Sequence, residues 1–191
     1  MLDSVGVSEP RQEIMAEPIA NSLPPLTLVL GGARSGKSRH AEGLIADWPG
    51  TRVYLATAEP GDAEMQERIR HHRLRRGEAW TTVEEPLELA AVLEREAHTD
   101  RAVLVDCLTL WLSNLLLAER DIEAEAAALI ETLGGCAGPI VMVSNEVGQG
   151  IVPENALARR FRDEAGRLHQ GIAAVADSVV FVTAGLVQVL K

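Results

Sequence analysis

From Leu26 onward the chain alternates short apolar runs with stretches that carry apolar residues at helical spacing. Runs of four to eight apolar residues bounded by turn residues read as buried strands, and the 3.6-residue pattern reads as helix. Strands are predicted at Leu26–Leu30, Arg52–Thr57, Ala102–Asp106, Pro139–Val143, Val179–Thr183 and Leu186–Leu190. Helices are predicted over Ser38–Asp47, from Asp62 (the N-cap) to about Arg75, from Glu85-Pro86 to about Ala97, and over Leu110–Ala118 and Ile122–Leu133. Gly134-Gly135 should end the last of these. A long helix fits Pro153–Asp177, with Gly166 and Gly171 as points where it could break. This alternation predicts an α/β fold of three layers, a mainly parallel sheet covered on both faces. The short Ala184-Gly185 connection makes the last two strands an antiparallel hairpin at the sheet edge. Every segment after residue 24 fits one core, so 25–191 reads as a single domain.

Composition narrows the class. The 191 residues are 47% hydrophobic and 24% charged, ordinary for one globular domain. No apolar run reaches the length of a membrane span. The net charge of −10 argues against broad nucleic-acid or anionic-membrane binding. Cys107 and Cys136 make no disulfide framework and fit a reducing cytoplasm. Residues 1–24 hold Pro10, Pro18, Pro24 and several acids with little periodicity, and read as a disordered extension. They lack the basic start and apolar stretch of a secretory signal, and Met15 offers an alternative start.

The first strand runs into Gly31-Gly32-Ala33-Arg34-Ser35-Gly36-Lys37-Ser38, which fits the phosphate-loop pattern G-x-x-x-x-G-K-[ST] in a strand–loop–helix setting. Glycines let backbone N–H groups turn inward on an anion, and the helix N-terminus adds partial positive charge. Lys37 reaches the β- and γ-phosphates, and Ser38 is a ligand for Mg²⁺. Val103-Leu104-Val105-Asp106 supplies a second half, an acid at the C-terminal end of a buried strand, placed to bind the same Mg²⁺. Alone, such an Asp equally caps a following helix.

A guanine-reading switch would need N/T-K-x-D, and D-x-x-G after the second strand; the sequence has neither. It does have Arg68-Ile69-Arg70-His71-His72-Arg73-Leu74-Arg75-Arg76, five arginines and two histidines in nine residues. A solvated basic helix face paired with Glu64 and Glu67 explains this density, and so does a multiply charged anion such as a triphosphate. At about 100° per residue, His72 falls on the apolar stripe of Met65 and Ile69, whereas His71 falls off it beside Arg68 and Arg75. Neighbouring positive charge keeps an imidazole neutral, so His71 is either a surface side chain or a nucleophile for phosphorus.

Taken together these segments resemble the bifunctional adenosylcobinamide kinase / adenosylcobinamide-phosphate guanylyltransferase family of cobalamin biosynthesis. The resemblance rests on Gly31–Glu42, Leu55-Ala56-Thr57-Ala58, Asp62-x-Glu64-Met65-x-x-Arg68-Ile69-x-His71-His72, and Trp80-x-Thr82-x-Glu84. Further on it includes Val105–Leu116, Ser144-Asn145-Glu146-Val147-Gly148-x-Gly150-Ile151-Val152-Pro153, and Phe161-Arg162-Asp163-x-x-Gly166-Arg167. It implies a RecA-like P-loop fold, a homotrimer, and two reactions on a corrinoid. ATP or GTP phosphorylates the aminopropanol hydroxyl of adenosylcobinamide; GTP then gives GMP to that phosphate through a guanylylated histidine, releasing pyrophosphate. The family motif places that histidine at His71. Other nucleotide contacts carry over to Gly31–Ser38 (including Gly32, Ala33, Arg34, Ser35, Gly36 and Lys37), to Ala56, Thr57 and Ala58, to Leu74, Arg75, Arg76 and Gly77, and to Glu84 and Asp106. Ser38 and Asp106 are the expected metal ligands. His169-Gln170 departs from the Asn-Gln expected there. Ser144-Asn145-Glu146 reads as a substrate contact or as a turn and cap, and Arg162 with Asp163 as an internal ion pair or as corrinoid contacts, with the structural role favoured. Two other readings remain at this point: a single-activity P-loop kinase in which His71 only binds phosphate, and a non-catalytic nucleotide-gated corrinoid-binding module.

Overall fold

The computed structural model describes residues 23–58 and 79–191. Its elements, in chain order, are β1 (Leu26–Gly31), α1 (Lys37–Ile45), β2 (Thr51–Ala56), β3 (Trp80–Glu84), α2 (Leu89–Glu96), β4 (Arg101–Asp106), α3 (Leu108–Leu117), α4 (Ile122–Gly135), β5 (Ile140–Asn145), α5 (Ala156–Val175), β6 (Ser178–Thr183) and β7 (Leu186–Val189). The strands form one seven-stranded sheet in the order β3-β2-β4-β5-β1-β6-β7. All neighbours run parallel except the β6–β7 hairpin. The expected α/β architecture with its antiparallel edge is therefore present.

Side chains alternate across each strand and so supply two cores. Leu26, Leu28 and Leu30 of β1, Val103 and Val105 of β4, and Ile140 and Met142 of β5 face one way, against α2, α3, α4 and α5. Val29, Ala102, Leu104, Val141 and Val143 face the other way, against Ala41 and Ile45 of α1. Residues of the central strands buried on both faces explain why their sequences read as unbroken apolar runs. Trp111 is almost fully buried, and its Nε1–H donates to Leu87 O at 2.8 Å, so the indole carries no unpaired donor into the core.

Several boundaries differ from expectation. The helix expected from Pro86 begins at Leu89, because the Glu85 carboxylate accepts from the N–H groups of Leu87 and Glu88 and holds a turn there. Gly134 and Gly135 lie in the last turn of α4 rather than after it. Helix α5 is unbroken at Gly166 and Gly171 and starts after Pro153, with Asn155 capping Ala158 N–H at 3.1 Å. Trp80–Glu84 is an edge strand, where the pattern of apolar residues announced none. The helix expected at Asp62–Arg75 and the extension 1–22 lie outside the described residues.

Candidate active site

Because six of the strands run parallel, their C-terminal ends share one edge of the sheet, where side chains from separate segments meet. Register fixes who stands beside whom. Glu84, Ala56 and Asp106 lie in one row across β3, β2 and β4, and Asp106 continues through Val143 of β5 to Val29 of β1. Two residues beyond Val29, Gly31 opens the phosphate loop beside Asn145. Strand β5 therefore separates the loop strand from the Asp106 strand, about 9.5 Å at two strand spacings.

The loop itself is shaped by its glycines. Gly36, at the N-cap of α1, has φ 102°, a conformation that penalises any side chain. A methyl group on Gly31 would stand 2.5 Å from Val182 O and 2.7 Å from Ser35 Oγ, so that strand end accepts only glycine. Lys37 is buried, with its ammonium donating to Gly32 O at 3.0 Å, which folds the side chain back over the loop. Ser38 follows in the first turn of α1.

Asp106 alternates with Ala102 and Leu104 onto the face that carries α1, so Asp106 and the first turn of α1, with Ser38, lie on the same side of the sheet. The Tyr54 hydroxyl donates to Asp106 Oδ2 at 3.0 Å. Thr57, fully buried, donates through Oγ1 to Cys107 O at 2.8 Å and accepts from Cys107 N–H at 2.9 Å, which ties the end of β2 to the end of β4. Asn114 of α3 donates to Thr57 O at 2.8 Å and Pro86 O at 3.1 Å, fixing the segments that follow β2 and β3 to one another. Asn145 Nδ2 donates to Thr109 Oγ1 at 2.9 Å, and Thr109 Oγ1 lies 3.1 Å from Cys107 Sγ. Burial and the adjacent Asp106 charge push the Cys107 thiol up, which favours its neutral form.

Behind the loop lies a second polar group. Ser144 Oγ and His169 Nε2 are 2.7 Å apart, both residues buried, and His169 Nδ1 lies 3.9 Å from Glu146 Oε2. Glu146 N–H donates to Gly31 O at 3.0 Å. Burial lowers the His169 pKa, with Glu146 partly opposing, so the ring is held toward its neutral form. Asn155, not Ser144–Glu146, caps α5. Arg162 pairs with its neighbour Asp163 at 2.8 Å, but on the surface, so the pair is present without being the internal one expected.

Of the residues named from the sequence, Gly31–Ser38, Ala56, Thr57, Ala58, Glu84 and Asp106 are brought to this one edge. His71, Leu74, Arg75, Arg76 and Gly77 lie outside the described residues. Tyr54 and Asn114 were not singled out for the site. Their partners are 52 and 57 residues away in sequence, and only the motif context around Asn114 signalled anything.

Comparison with known proteins supplies the family. The bifunctional adenosylcobalamin biosynthesis protein CobP of Pseudomonas aeruginosa is 54% identical over 166 residues, covering 86% of this chain and 96% of the relative. The proteins named CobU from Salmonella typhimurium and Escherichia coli are 44% and 43% identical, each covering 84% of this chain and 97% of the relative. Among solved structures, the P4 protein from bacteriophage phi13 superposes with a TM-score of 0.50 at 20% identity, over 91% of this chain and 56% of that one, a likeness of fold alone. Residues 27–190 match the family described as cobinamide kinase / cobinamide phosphate guanyltransferase, and the chain belongs to that family.

Proposed function

We propose that this chain carries both activities of its family on one crevice: phosphorylation of adenosylcobinamide by ATP or GTP, then transfer of GMP from GTP to adenosylcobinamide phosphate. The observation that supports this best is the pairing of Lys37 and Ser38 with Asp106 across β5, on one face of the sheet. Residues 25–191 act as one catalytic unit in this reading; the family match spans 27–190.

In the kinase step the Gly31–Ser38 backbone and Lys37 hold the phosphates, and catalysis is positioning and charge neutralisation. Asp106 and Ser38 are the residues that would hold Mg²⁺. The fit is sound: Asp106 is half-exposed at its strand end, and among the described residues only Tyr54 donates to its carboxylate, on Oδ2. A bound Mg²⁺ supplies neutralisation of phosphate charge. In the transfer step His71 is the nucleophile at the α-phosphorus, and Arg68, Arg75 or Arg76 offsets the charge of the departing pyrophosphate. Ala56, Thr57, Ala58 and Glu84, with Leu74, Arg75, Arg76 and Gly77, form the remaining nucleotide contacts. The His71 assignment rests on the R-I-x-H-H motif.

The assembly is a homotrimer in this reading, supported by the family resemblance and by exposed apolar residues such as Leu117, Ile151 and Leu157. Two free cysteines support a reducing, cytoplasmic setting. No helix among the described residues is long and apolar enough to cross a membrane. Incubating the protein with ATP, Mg²⁺ and adenosylcobinamide, then with GTP, tests the assignment: adenosylcobinamide phosphate and then adenosylcobinamide-GDP should accumulate. Absence of either product contradicts it.

A further inference from the structure

Under the phosphate loop, on the face of the sheet opposite α1, lies a buried polar trio that neither half-reaction uses. Ser144 alternates with Ile140 and Met142 of β5 onto the face that carries α5, and it is fully buried there. Its Oγ lies 2.7 Å from Nε2 of His169, a buried residue of α5. Nδ1 of the same ring lies 3.9 Å from Glu146 Oε2, and Glu146 Oε1 accepts from Gly148 N–H. A serine, a histidine and a carboxylate are the residue types of a nucleophile, its base and an orienting group. Here Ser144 has no exposed surface to meet a substrate, and 3.9 Å is beyond hydrogen-bonding distance. The work of this trio is therefore not nucleophilic.

Its place in the sheet points to the loop. Ser144 pairs in register with Leu30, and Asn145 with Gly31, the first residue of the loop. Glu146 N–H donates to Gly31 O at 3.0 Å. On its other side Gly31 pairs with Val182 of β6 and has no slack, because a methyl group there would stand 2.5 Å from Val182 O. A shift of Glu146 is thus passed to the loop and not absorbed beside it. An Asn at position 169, the residue expected from the family pattern, could hold Ser144 but could not titrate. The histidine adds a proton to the same contact.

We propose that His169 is a positioning residue for the phosphate loop: as neutral imidazole it holds Ser144 and Glu146 in the arrangement that ties the end of β5 to Gly31, and its protonation loosens the loop's hold on the triphosphate. This rests on the phosphate-loop reading above. With the carboxylate on the Nδ1 side, the neutral ring carries its proton on Nδ1 and accepts the Ser144 hydroxyl at Nε2. A second proton makes Nε2 a donor and forces the hydroxyl to turn. It also places a buried cation beside Glu146, and such a cation draws its counter-charge close. The carboxylate then leaves Gly148 N–H for the ring, and the bond from Glu146 N–H to Gly31 O shifts with it. Among the described residues, Glu146 is the charge that acts on the ring, favouring the imidazolium against burial. β1, β5, β6 and α3 carry no charged side chain. On α4, Glu123 lines the outer groove with Arg160, Glu164 and Arg167, while Glu125 and Glu131 line the groove toward α2. Lys191 reaches α5 a turn further on, at the carbonyls of Ala173 and Ala174.

The test is binding of ATP with Mg²⁺ to the full chain, followed by calorimetry from pH 7.5 to 5.5, with the fold checked by circular dichroism throughout. Across this interval the wild-type Kd should rise at least threefold more than that of His169→Asn. His40 of α1 and the phosphates of the nucleotide titrate in both proteins alike and drop out of the comparison. Glu146→Gln removes the charge that favours the imidazolium, so in that variant the loss of affinity should move to lower pH. In kinase assays the difference between wild type and His169→Asn should appear in the KM for ATP and not in kcat. The proposal is overturned if His169→Asn loses affinity as steeply as wild type, or if Glu146→Gln leaves the midpoint in place or raises it. It is equally overturned if the kinase difference lies in kcat alone. A wild-type protein that binds no ATP at pH 7.5 overturns the phosphate-loop reading itself, and this proposal with it.

Discussion

The Tyr54 hydroxyl donates to Asp106 Oδ2 at 3.0 Å, from the strand beside it and on the same face of the sheet. A hydrogen bond to a charged acceptor contributes about 1.5–3 kcal/mol. Here it also restricts the orientation of the carboxylate. Tyr54→Phe should therefore raise the Mg²⁺ concentration for half-maximal kinase rate about three- to tenfold, with a near-wild-type rate at saturating Mg²⁺. An unchanged Mg²⁺ titration contradicts the assignment of Asp106 as a metal ligand oriented by Tyr54.

Lys37→Ala removes the ammonium folded over the loop. Loss of one preorganised donor at developing charge costs about 10²–10³ in rate. Kinase turnover should fall by that much with the fold intact by circular dichroism. Turnover within threefold of wild type would contradict the phosphate-loop assignment.

Asn114→Ala unpairs the carbonyls of Thr57 and Pro86 at once. The cost is about 1–3 kcal/mol, or a Tm lower by about 2–12 °C for a domain of this size. Since Thr57 and Glu84 sit on the tied segments, the KM for GTP in covalent loading should rise as well. A lower Tm with unchanged GTP dependence would separate the clamp from the site.

His169 gives the protein an acid-sensitive component of stability. Its folded pKa is lowered by burial below the ordinary 6.5. Above 6.5 both folded and unfolded chains carry the neutral ring, and nothing is lost. As pH falls below 6.5 the unfolded chain takes up a proton first, so the native state loses stability until its own lower pKa is passed. His169→Asn, which restores the residue expected from the family pattern, should show a smaller fall in Tm between pH 7.5 and 5.5 than wild type. An equal fall would show that His169 does not contribute.

Local chemistry was legible in the sequence. Gly31–Ser38 and Asp106 announce themselves through short motifs on strongly apolar strands, and the structure sets them at one edge of the sheet with β5 between their strands. Trp80–Glu84 escaped the pattern because it is a five-residue edge strand with half-exposed and exposed positions only. Gly171 looked like a helix break, yet it faces α4, where a methyl group would stand 2.5 Å from Ile130 Cδ1, so it serves close packing. Hydrogen bonds such as Tyr54–Asp106, Asn114–Thr57 and Ser144–His169 span 52, 57 and 25 residues. Periodicity and motif spacing carry no information on pairs so far apart. The helical wheel set His71 apart from His72 but named no reaction; that came from the family motif.

Covalent loading of His71 tests the central claim most directly. The protein is incubated with α-phosphate-labelled GTP and Mg²⁺, denatured, and the protein-bound label is counted before and after mild acid. The account predicts acid-labile label approaching one GMP per chain on wild type and none on His71→Ala, with kinase activity in that variant retained. An unlabelled wild type, or His71→Ala labelled as well as wild type, would contradict it.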